Sequence, residues 1–306
     1  MRGARRVLAG VLLLAAPTRA AVAQQPAAAQ PAAARTVLFV GNSFTYADAA
    51  GGPDLVRPFG AGTVTDLNGT GVGGVPALFA RFAAEAGLHY AVSLETAPGV
   101  GLDYHVDRKL GVLARPWDVV LLQSYSTLDA AHPGDPASLV ASASRLADTL
   151  HARNAGVEIH LVATWSRADQ TYLPRGHWFG QPIDAMERSV QAGYEAARAR
   201  SPWIRDVIPV GAAWDRAIRT GFADANPYDG VDAGKVDLWA PDGYHASVYG
   251  YYLEALVDFG AVTGVDPRTL GAGETAAAAL GVTPARAAAL QAIAYDQLAA
   301  YRARAM

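Results

Sequence analysis

Two short segments, separated by most of the chain, carry the residue types of a nucleophilic hydrolase. Residues 41–45 read Gly-Asn-Ser-Phe-Thr and follow an apolar run, and residues 242–245 read Asp-Gly-Tyr-His. A serine hydroxyl is a weak nucleophile at neutral pH; it needs a base beside it, and the base needs a group that orients it. A spacing of three lets Asp242 hold Nδ1 of His245 while Nε2 stays free to take the proton of Ser43. The pattern predicts hydrolysis through a covalent acyl-enzyme.

Each segment has a simpler explanation when it is taken alone. Ser43 or Thr45 could merely cap the helix that follows, because serine and threonine are favoured caps. Asp242 and His245 could be an unrelated surface carboxylate and a histidine at a helix start. The serine early and the Asp-x-x-His just before the last helix of the domain together make the catalytic interpretation much stronger.

The N-terminus predicts export. Residues 1–23 combine an arginine-rich start, an apolar run at 7–16 that is too short to span a bilayer comfortably, and a small-residue site at 21–23. We expect a signal peptide cut after Ala23 and a periplasmic or secreted protein; an uncleaved anchor is the alternative. Residues 24–34 are rich in Ala, Pro and Gln and predict a flexible leader.

Composition excludes several classes of protein. The chain has no cysteine, which rules out disulfides, thiol catalysis and thiolate metal sites. Its formal charge is -3, and removing residues 1–23 removes four arginines and no acid, which leaves -7. An acidic mature chain argues against nucleic acid as a partner. We also expect no stable membrane insertion after cleavage, and the oligomeric state stays open.

The apolar pattern predicts a doubly wound α/β domain. Short runs without polar alternation, separated by helical segments, indicate a parallel sheet covered on both faces. The five predicted strands lie at 37–40, 90–94, 118–122, 157–163 and 207–210, and the main helices at 75–86, 139–150, 185–199 and 247–259. The expected fold is a three-layer α/β/α sandwich with a mostly parallel five-stranded sheet, flavodoxin-like, over residues 35–266. Residues 267–306 predict a helical appendage, with Thr283 as N-cap and Pro284 at the first helical position.

Over residues 36 to 265 the chain resembles the SGNH (GDSL-type) hydrolase superfamily. Its nucleophile block, Gly-[Asp/Asn]-Ser-[Leu/Phe]-Thr, matches residues 41–45, and its last block, Asp-x-x-His, matches residues 242–245. The resemblance implies a three-layer α/β/α sandwich and no cofactor. The middle blocks match less well, because the Gly-x-Asn-Asp motif that supplies an oxyanion-hole asparagine is absent.

The resemblance also implies an oxyanion hole. Its donors would be the backbone N–H groups of Ser43 and of Gly99, with Gly101 as second choice for the latter. Gln123, which ends the third predicted strand, carries an amide that could replace the missing asparagine. Losing one donor costs about a hundredfold or more in rate.

Aromatic residues and one histidine are candidates for the substrate pocket. The aromatic loop 166–181 follows the fourth predicted strand, so Trp178 could stack on a sugar ring or cover an acyl group; packing of the loop is an equally good explanation. Trp165 is a further pocket candidate. His105 follows the glycine turn and could line the pocket, and it is the main rival to His245 as base. No histidine pair has metal-ligand spacing, so no metal is expected.

The sequence therefore predicts an exported serine esterase for small acyl esters, among which acetyl groups on carbohydrate are one candidate. The alternative is a non-catalytic envelope carbohydrate-binding protein on the same fold, which a Ser43–His245 distance beyond hydrogen-bond reach would favour. A third interpretation is a metal-dependent hydrolase that uses His105.

Overall fold

A computed structural model describes residues 33–305 and Met1. The strands are β1 (Arg35–Gly41), β2 (Thr65–Asp66), β3 (Tyr90–Thr96), β4 (Val119–Leu122), β5 (Glu158–Ala163) and β6 (Ile204–Pro209). The helices are α1 (Ser43–Tyr46), α2 (Gly74–Glu85), α3 (Leu102–Arg108), α4 (Leu110–Leu113), α5 (Ala137–Arg153), α6 (Ala168–Tyr172), α7 (Asp184–Arg200), α8 (Val210–Arg219), α9 (Val248–Thr263), α10 (Thr275–Ala279) and α11 (Pro284–Ala305). The predicted signal peptide and nearly all of the leader lie outside the described residues.

The strands form one parallel sheet, as predicted, with one strand more than expected. Their order is β2-β3-β1-β4-β5-β6, and each neighbouring pair is parallel. The additional strand, β2, is only two residues long, which is too short for an apolar period to reveal. The predicted last strand ends at residue 210, one residue beyond the end of β6, because the chain passes from Pro209 directly into α8. Helix α8 was not predicted.

Side chains of the central strand β1 serve two separate cores. Val37 and Phe39 belong to the core on one face of the sheet, and Leu38 and Val40 belong to the core on the other. Because successive strand residues point to opposite faces, this alternation requires helices on both sides. The predicted three-layer α/β/α sandwich is confirmed.

The C-terminal helix α11 packs against α8 and α9. Leu290, Ala294 and Leu298 are buried and belong to the same core as α2 and α9. Arg286 N donates to Thr283 Oγ1 at 3.4 Å at the start of this helix. In residues 33–305 no helix has the length and apolar character needed to cross a membrane.

The order of the strands fixes where the site lies. The chain goes from β1 to β3 on one side of β1, and later returns to β4 on the other side. The loops after β1 and β4 therefore diverge and leave a crevice at the carboxyl edge of the sheet, where ligands bind in open α/β sheets.

Candidate active site

Ser43 stands on a corner that is bound to both neighbouring strands. It directly follows Asn42, whose side-chain oxygen accepts from Phe44 N at 3.1 Å and so caps α1. The amide nitrogen of Asn42 donates to Val100 O at 2.9 Å and to Ser124 O at 3.2 Å. The corner after β1 is thus attached to the turns that follow β3 and β4.

Glycine at position 41 is required by space. A Cβ at Gly41 would collide with Thr45 Oγ1 and with Gln123 Oε1. The Gln123 oxygen comes this close because it accepts hydrogen bonds from Asn42 N at 2.9 Å and from Thr45 Oγ1 at 3.1 Å. The absence of a Cβ at position 41 therefore lets the side chain of Gln123, which follows β4, hold the corner that carries Ser43.

The structure brings the three predicted catalytic side chains together. His245 Nε2 lies 3.0 Å from Ser43 Oγ, and His245 Nδ1 lies 2.7 Å from Asp242 Oδ2. The other Asp242 oxygen accepts from the backbone N–H groups of Tyr244 and His245, both at 3.0 Å. Burial would raise the pKa of Asp242, but the hydrogen bonds from the His245 side chain and from these two amides, with the charge of His245, lower it below the ordinary value. An ionised Asp242 can then orient the imidazole with Nε2 towards the serine.

Aromatic side chains pack against the imidazole of His245. The ring centroid of Tyr244 lies 4.1 Å from that of His245, and the edge of Phe44 meets the same imidazole at 5.7 Å. Phe44 in turn stacks on Trp165 at 4.1 Å, and Trp165 stacks on Trp214 at 4.5 Å. These contacts restrict the rotation of His245, whose exposed fraction is only 9%.

The predicted pocket roles of Trp165 and Trp178 do not agree with the structure. Trp165 is fully buried in the aromatic stack, and its indole N–H donates to Tyr244 O at 3.1 Å. Trp178 is 4% exposed and packs its loop onto the opposite core, beside Gly134. Neither side chain offers a ring face to a substrate, so packing explains both.

His105 is also placed differently from the prediction. It is fully buried, and its Nε2 faces Gly41 O at 3.0 Å while Nδ1 forms a hydrogen bond with Glu95 Oε2. A side chain with no exposed surface and both ring nitrogens engaged does not line a pocket. In residues 33–305 no group of three or more His, Asp or Glu side chains is arranged to hold a metal ion.

Comparison with known proteins identifies the fold. No family model matches the chain, and no curated protein matches it. A DUF4886 family protein from Bacteroides uniformis has a TM-score of 0.59 at 19% identity, over 87% of this chain and 95% of that chain. A protein described as a GDSL-like lipase from Parabacteroides merdae has a TM-score of 0.50 at 18% identity, over 75% of this chain and 95% of that chain. The chain has the SGNH hydrolase fold.

Within this SGNH fold, Gln123 occupies the place after β4 where the resemblance puts an asparagine. Its oxygen accepts from Asn42 N and Thr45 Oγ1, and its amide nitrogen donates to Ser124 O. Gln123 is 2% exposed, with its amide oxygen turned to the corner and its amide nitrogen bonded to Ser124 O. The predicted role of Gln123 as an oxyanion donor therefore does not agree with its hydrogen bonds, and its position is that of a brace.

Gly99, the predicted oxyanion-hole glycine, lies in the turn that follows β3. Gly99 has a φ of +65°, and an added Cβ would meet open space. Ala97 N donates to Gly41 O at 3.1 Å, which ties this turn to the serine corner. The turn also contains Gly101, where a Cβ would crowd Asp103 Oδ1 and Ser124 Oγ.

Sequence reasoning missed Arg167, which lies beside the catalytic turn. Its guanidinium stacks 3.5 Å from the centroid of the Tyr244 ring and forms two hydrogen bonds with Asp169, at 2.9 and 2.8 Å. A third bond reaches Ser126 Oγ at 3.2 Å, and Asp169 N donates to Gly243 O at 3.1 Å. The close Arg-x-Asp spacing was the available signal, but nothing local linked it to the distant turn.

An apolar cavity of about 270 Å³ adjoins the turn that holds the base. It lies between residues 47–56, which follow α1, and residues 237–251, which flank Asp242 and His245. Its lining includes Trp239, Ala246 and Tyr251, but not Ser43, Asp242 or His245.

Proposed function

We propose that this protein is an exported serine hydrolase that cleaves small carboxylic esters. One observation carries the proposal: an unbroken hydrogen-bond path runs from Asp242 through His245 to Ser43, with heavy-atom distances of 2.7 and 3.0 Å. Both distances lie in the range required for proton transfer between nucleophile and base.

The reaction would follow from the geometry of these three side chains. Ser43 Oγ attacks the ester carbonyl while His245 Nε2 takes its proton, and Asp242 stabilises the imidazolium that forms. His245 then returns the proton to the leaving alcohol, which breaks the ester bond and leaves an acyl-serine. Water, deprotonated by the same histidine, releases the acid and restores the serine.

Two backbone amides are the candidate donors to the oxyanion. Ser43 N begins α1 and has no acceptor within the helix, as the first amides of any helix do not. Gly99 N would approach from the turn after β3. Because Gln123 is engaged elsewhere, we expect the hole to depend on these amides, and the loss of one donor typically costs about 10²–10³ in kcat.

The substrate class is the less constrained part of the proposal. The apolar cavity is lined by neighbours of Asp242 and His245 and not by Ser43, Asp242 or His245 themselves, so the preference for a short acyl or alkyl group is part of the proposal. An acetylated carbohydrate remains a candidate, since Tyr228 is 43% exposed and its hydroxyl lies 3.5 Å from Asp242 O, where a ring face could meet a sugar. The amino-acid pattern of residues 1–23 supports a periplasmic or secreted location.

Hydrolysis of p-nitrophenyl acetate by the mature chain would test the proposal. We expect a rate above background that Ser43→Ala abolishes. Ser144→Ala is the matched control, because Ser144 lies on α5 and its hydroxyl only bonds Val140 O within that helix. Equal background rates in wild type and Ser43→Ala would refute this mechanism for simple esters and favour the carbohydrate-binding protein, to be tested next by titration with acetylated xylan.

A further inference from the structure

A second histidine–carboxylate pair lies directly beneath the nucleophile corner. Glu95, in β3, and His105, on α3, are both fully buried. Glu95 Oε2 is bonded to His105 Nδ1, and the other oxygen of Glu95 lies 3.2 Å from Lys109 Nζ. On its far side, His105 Nε2 lies 3.0 Å from the carbonyl oxygen of Gly41.

The partners of His105 fix its protons. A carbonyl oxygen only accepts hydrogen bonds, so Nε2 must carry a hydrogen. Burial would raise the pKa of Glu95, but the hydrogen bonds and charges of His105 and Lys109 lower it below its ordinary value, so the carboxylate accepts from Nδ1. Because Nε2 faces the Gly41 carbonyl and Nδ1 faces Glu95, neither ring nitrogen of His105 is free to act as a base towards Ser43.

We propose that His105 and Glu95 are positioning residues for the nucleophile. Gly41 O accepts from His105 Nε2 and from Ala97 N, and it stands two residues before Ser43. These two hydrogen bonds hold the Gly41 carbonyl, where the corner begins, and connect the corner to the turn that contains Gly99. The inference rests on the proposed serine hydrolase activity.

A purely stabilising role fits the pair poorly. Burying a charged pair has a desolvation penalty that can exceed the attraction, and apolar side chains of similar volume often serve a core equally well. Placement of a nucleophile, in contrast, tolerates little error, since a displacement of about 1 Å can reduce the rate about a hundredfold. His105 donates to the carbonyl oxygen of Gly41, which precedes the corner, and Glu95 holds the His105 ring by its other nitrogen.

Two amide substitutions separate the proposed role from general packing. His105→Gln places an N–H near the former Nε2 and can still donate to Gly41 O. His105→Asn places its amide near the former Nδ1 and can reach only Glu95. The control is His160→Gln, because His160 is equally buried and paired with Asp206 at 2.6 Å, but its contacts lie between β5 and β6.

The experiment measures kcat and KM for p-nitrophenyl acetate, and the rate of Ser43 labelling by a fluorophosphonate, each corrected for the folded fraction. We expect His105→Asn to lower kcat and labelling about 10–100-fold with KM nearly unchanged, His105→Gln to recover most of the loss, and His160→Gln to stay within twofold of wild type.

Equal rates for all three variants, or equal losses in Gln and Asn at 105, would overturn the positioning role. If either histidine variant at 105 does not fold, Glu95→Gln is measured in its place, with the same reduced kcat expected and an unchanged kcat contradicting the inference. Wild type that is neither active nor labelled refutes the proposed function itself, and is thereby distinguished from failure of the inference.

Discussion

Two histidines with carboxylate partners meet the same corner of the chain from different sides. His245 uses Nδ1 to bind Asp242 and points Nε2 at Ser43 Oγ, and His105 uses Nδ1 to bind Glu95 and points Nε2 at Gly41 O. The partner of each Nε2 makes the difference. A hydroxyl can donate its proton to a ring nitrogen, whereas a carbonyl oxygen can only accept one.

The two carboxylate partners also differ in their exposure to solvent. Asp242 keeps 28% of its side chain exposed and lies on a turn, whereas Glu95 is fully enclosed in β3. A base that gains and loses a proton in each cycle needs an environment that tolerates both states. A fixed donor gains from enclosure, because its hydrogen bonds do not compete with water. In the proposed mechanism, a histidine–carboxylate pair therefore acts as a base at Asp242 and His245 and as a fixed hydrogen-bond donor at Glu95 and His105.

The largest effect on kcat is expected from a substitution of Asp242, the carboxylate partner of His245. Asp242→Asn should lower kcat about 10⁴-fold, because an amide no longer holds the required tautomer or stabilises the imidazolium. The unfolding midpoint in urea should hardly change, since Asp242 lies on a partly exposed turn. A loss of less than tenfold in kcat, measured with p-nitrophenyl acetate, would contradict the assignment of His245 as base.

Glu95→Gln should have the opposite pattern, with a larger loss of stability and a smaller loss of activity than Asp242→Asn. Removing one partner of a buried pair leaves an uncompensated charge and costs about 3–5 kcal/mol in the free energy of unfolding. Activity per folded molecule should fall less than in Asp242→Asn, about tenfold, because Ser43 and its base remain in place. Urea denaturation and active-site titration measure the two quantities separately, and a stability equal to wild type would show that the two pairs are not distinct in kind.

Gln123→Leu tests whether Gln123 supports the Ser43 corner or donates directly to the oxyanion. Loss of the acceptor for Asn42 N–H leaves a buried donor unsatisfied, at a cost of about 1–3 kcal/mol in unfolding free energy. We expect kcat to fall about tenfold through misplacement of Ser43. A fall of about 10²–10³ with unchanged stability is the signature of a direct oxyanion donor and would restore that role to Gln123.

The smallest effect is expected at Lys109, which lies 3.2 Å from Glu95 Oε1 and donates to Asn68 Oδ1 at 2.7 Å. Ionised Glu95 stabilises the folded state above the unfolded-state pKa of a glutamate, and this stabilisation is lost as pH falls through the lower folded-state pKa. Lys109→Met raises that folded-state pKa, so stability should be lost at a higher pH during acidification. At pH 7 the change should be about 0.5–1 kcal/mol, because Lys109 is partly exposed. Urea midpoints from pH 7 to pH 3 that match those of wild type would contradict a role for Lys109 in holding the charge of Glu95.

The sequence predicted what local pattern encodes. Apolar runs identified five of the six strands, and the order of polar residues at strand ends located the crevice. The contact between Ser43, Asp242 and His245 could be predicted from their residue types and order, and their catalytic roles stay a proposal. Strand β2 is only two residues long and helix α8 begins directly after Pro209, so the pattern of apolar residues did not separate either of them from its neighbours.

The site predictions that disagree with the structure concern the direction in which a side chain points. Trp165, Trp178, His105 and Gln123 lie close to the expected places along the chain, but each turns inward to a partner from a distant segment. Glu95 gave no signal, because a carboxylate in a buried strand has meaning only once His105 and Lys109 are seen beside it.

The central claim is that Ser43 is the nucleophile, and covalent labelling tests it most directly. The mature chain would be incubated with a fluorophosphonate, digested and mapped by mass spectrometry, with Ser43→Ala treated in parallel. The account predicts one adduct, on the peptide that contains Ser43, and none in the variant. No adduct on native wild-type protein, or an adduct on another residue that persists in Ser43→Ala, would contradict it.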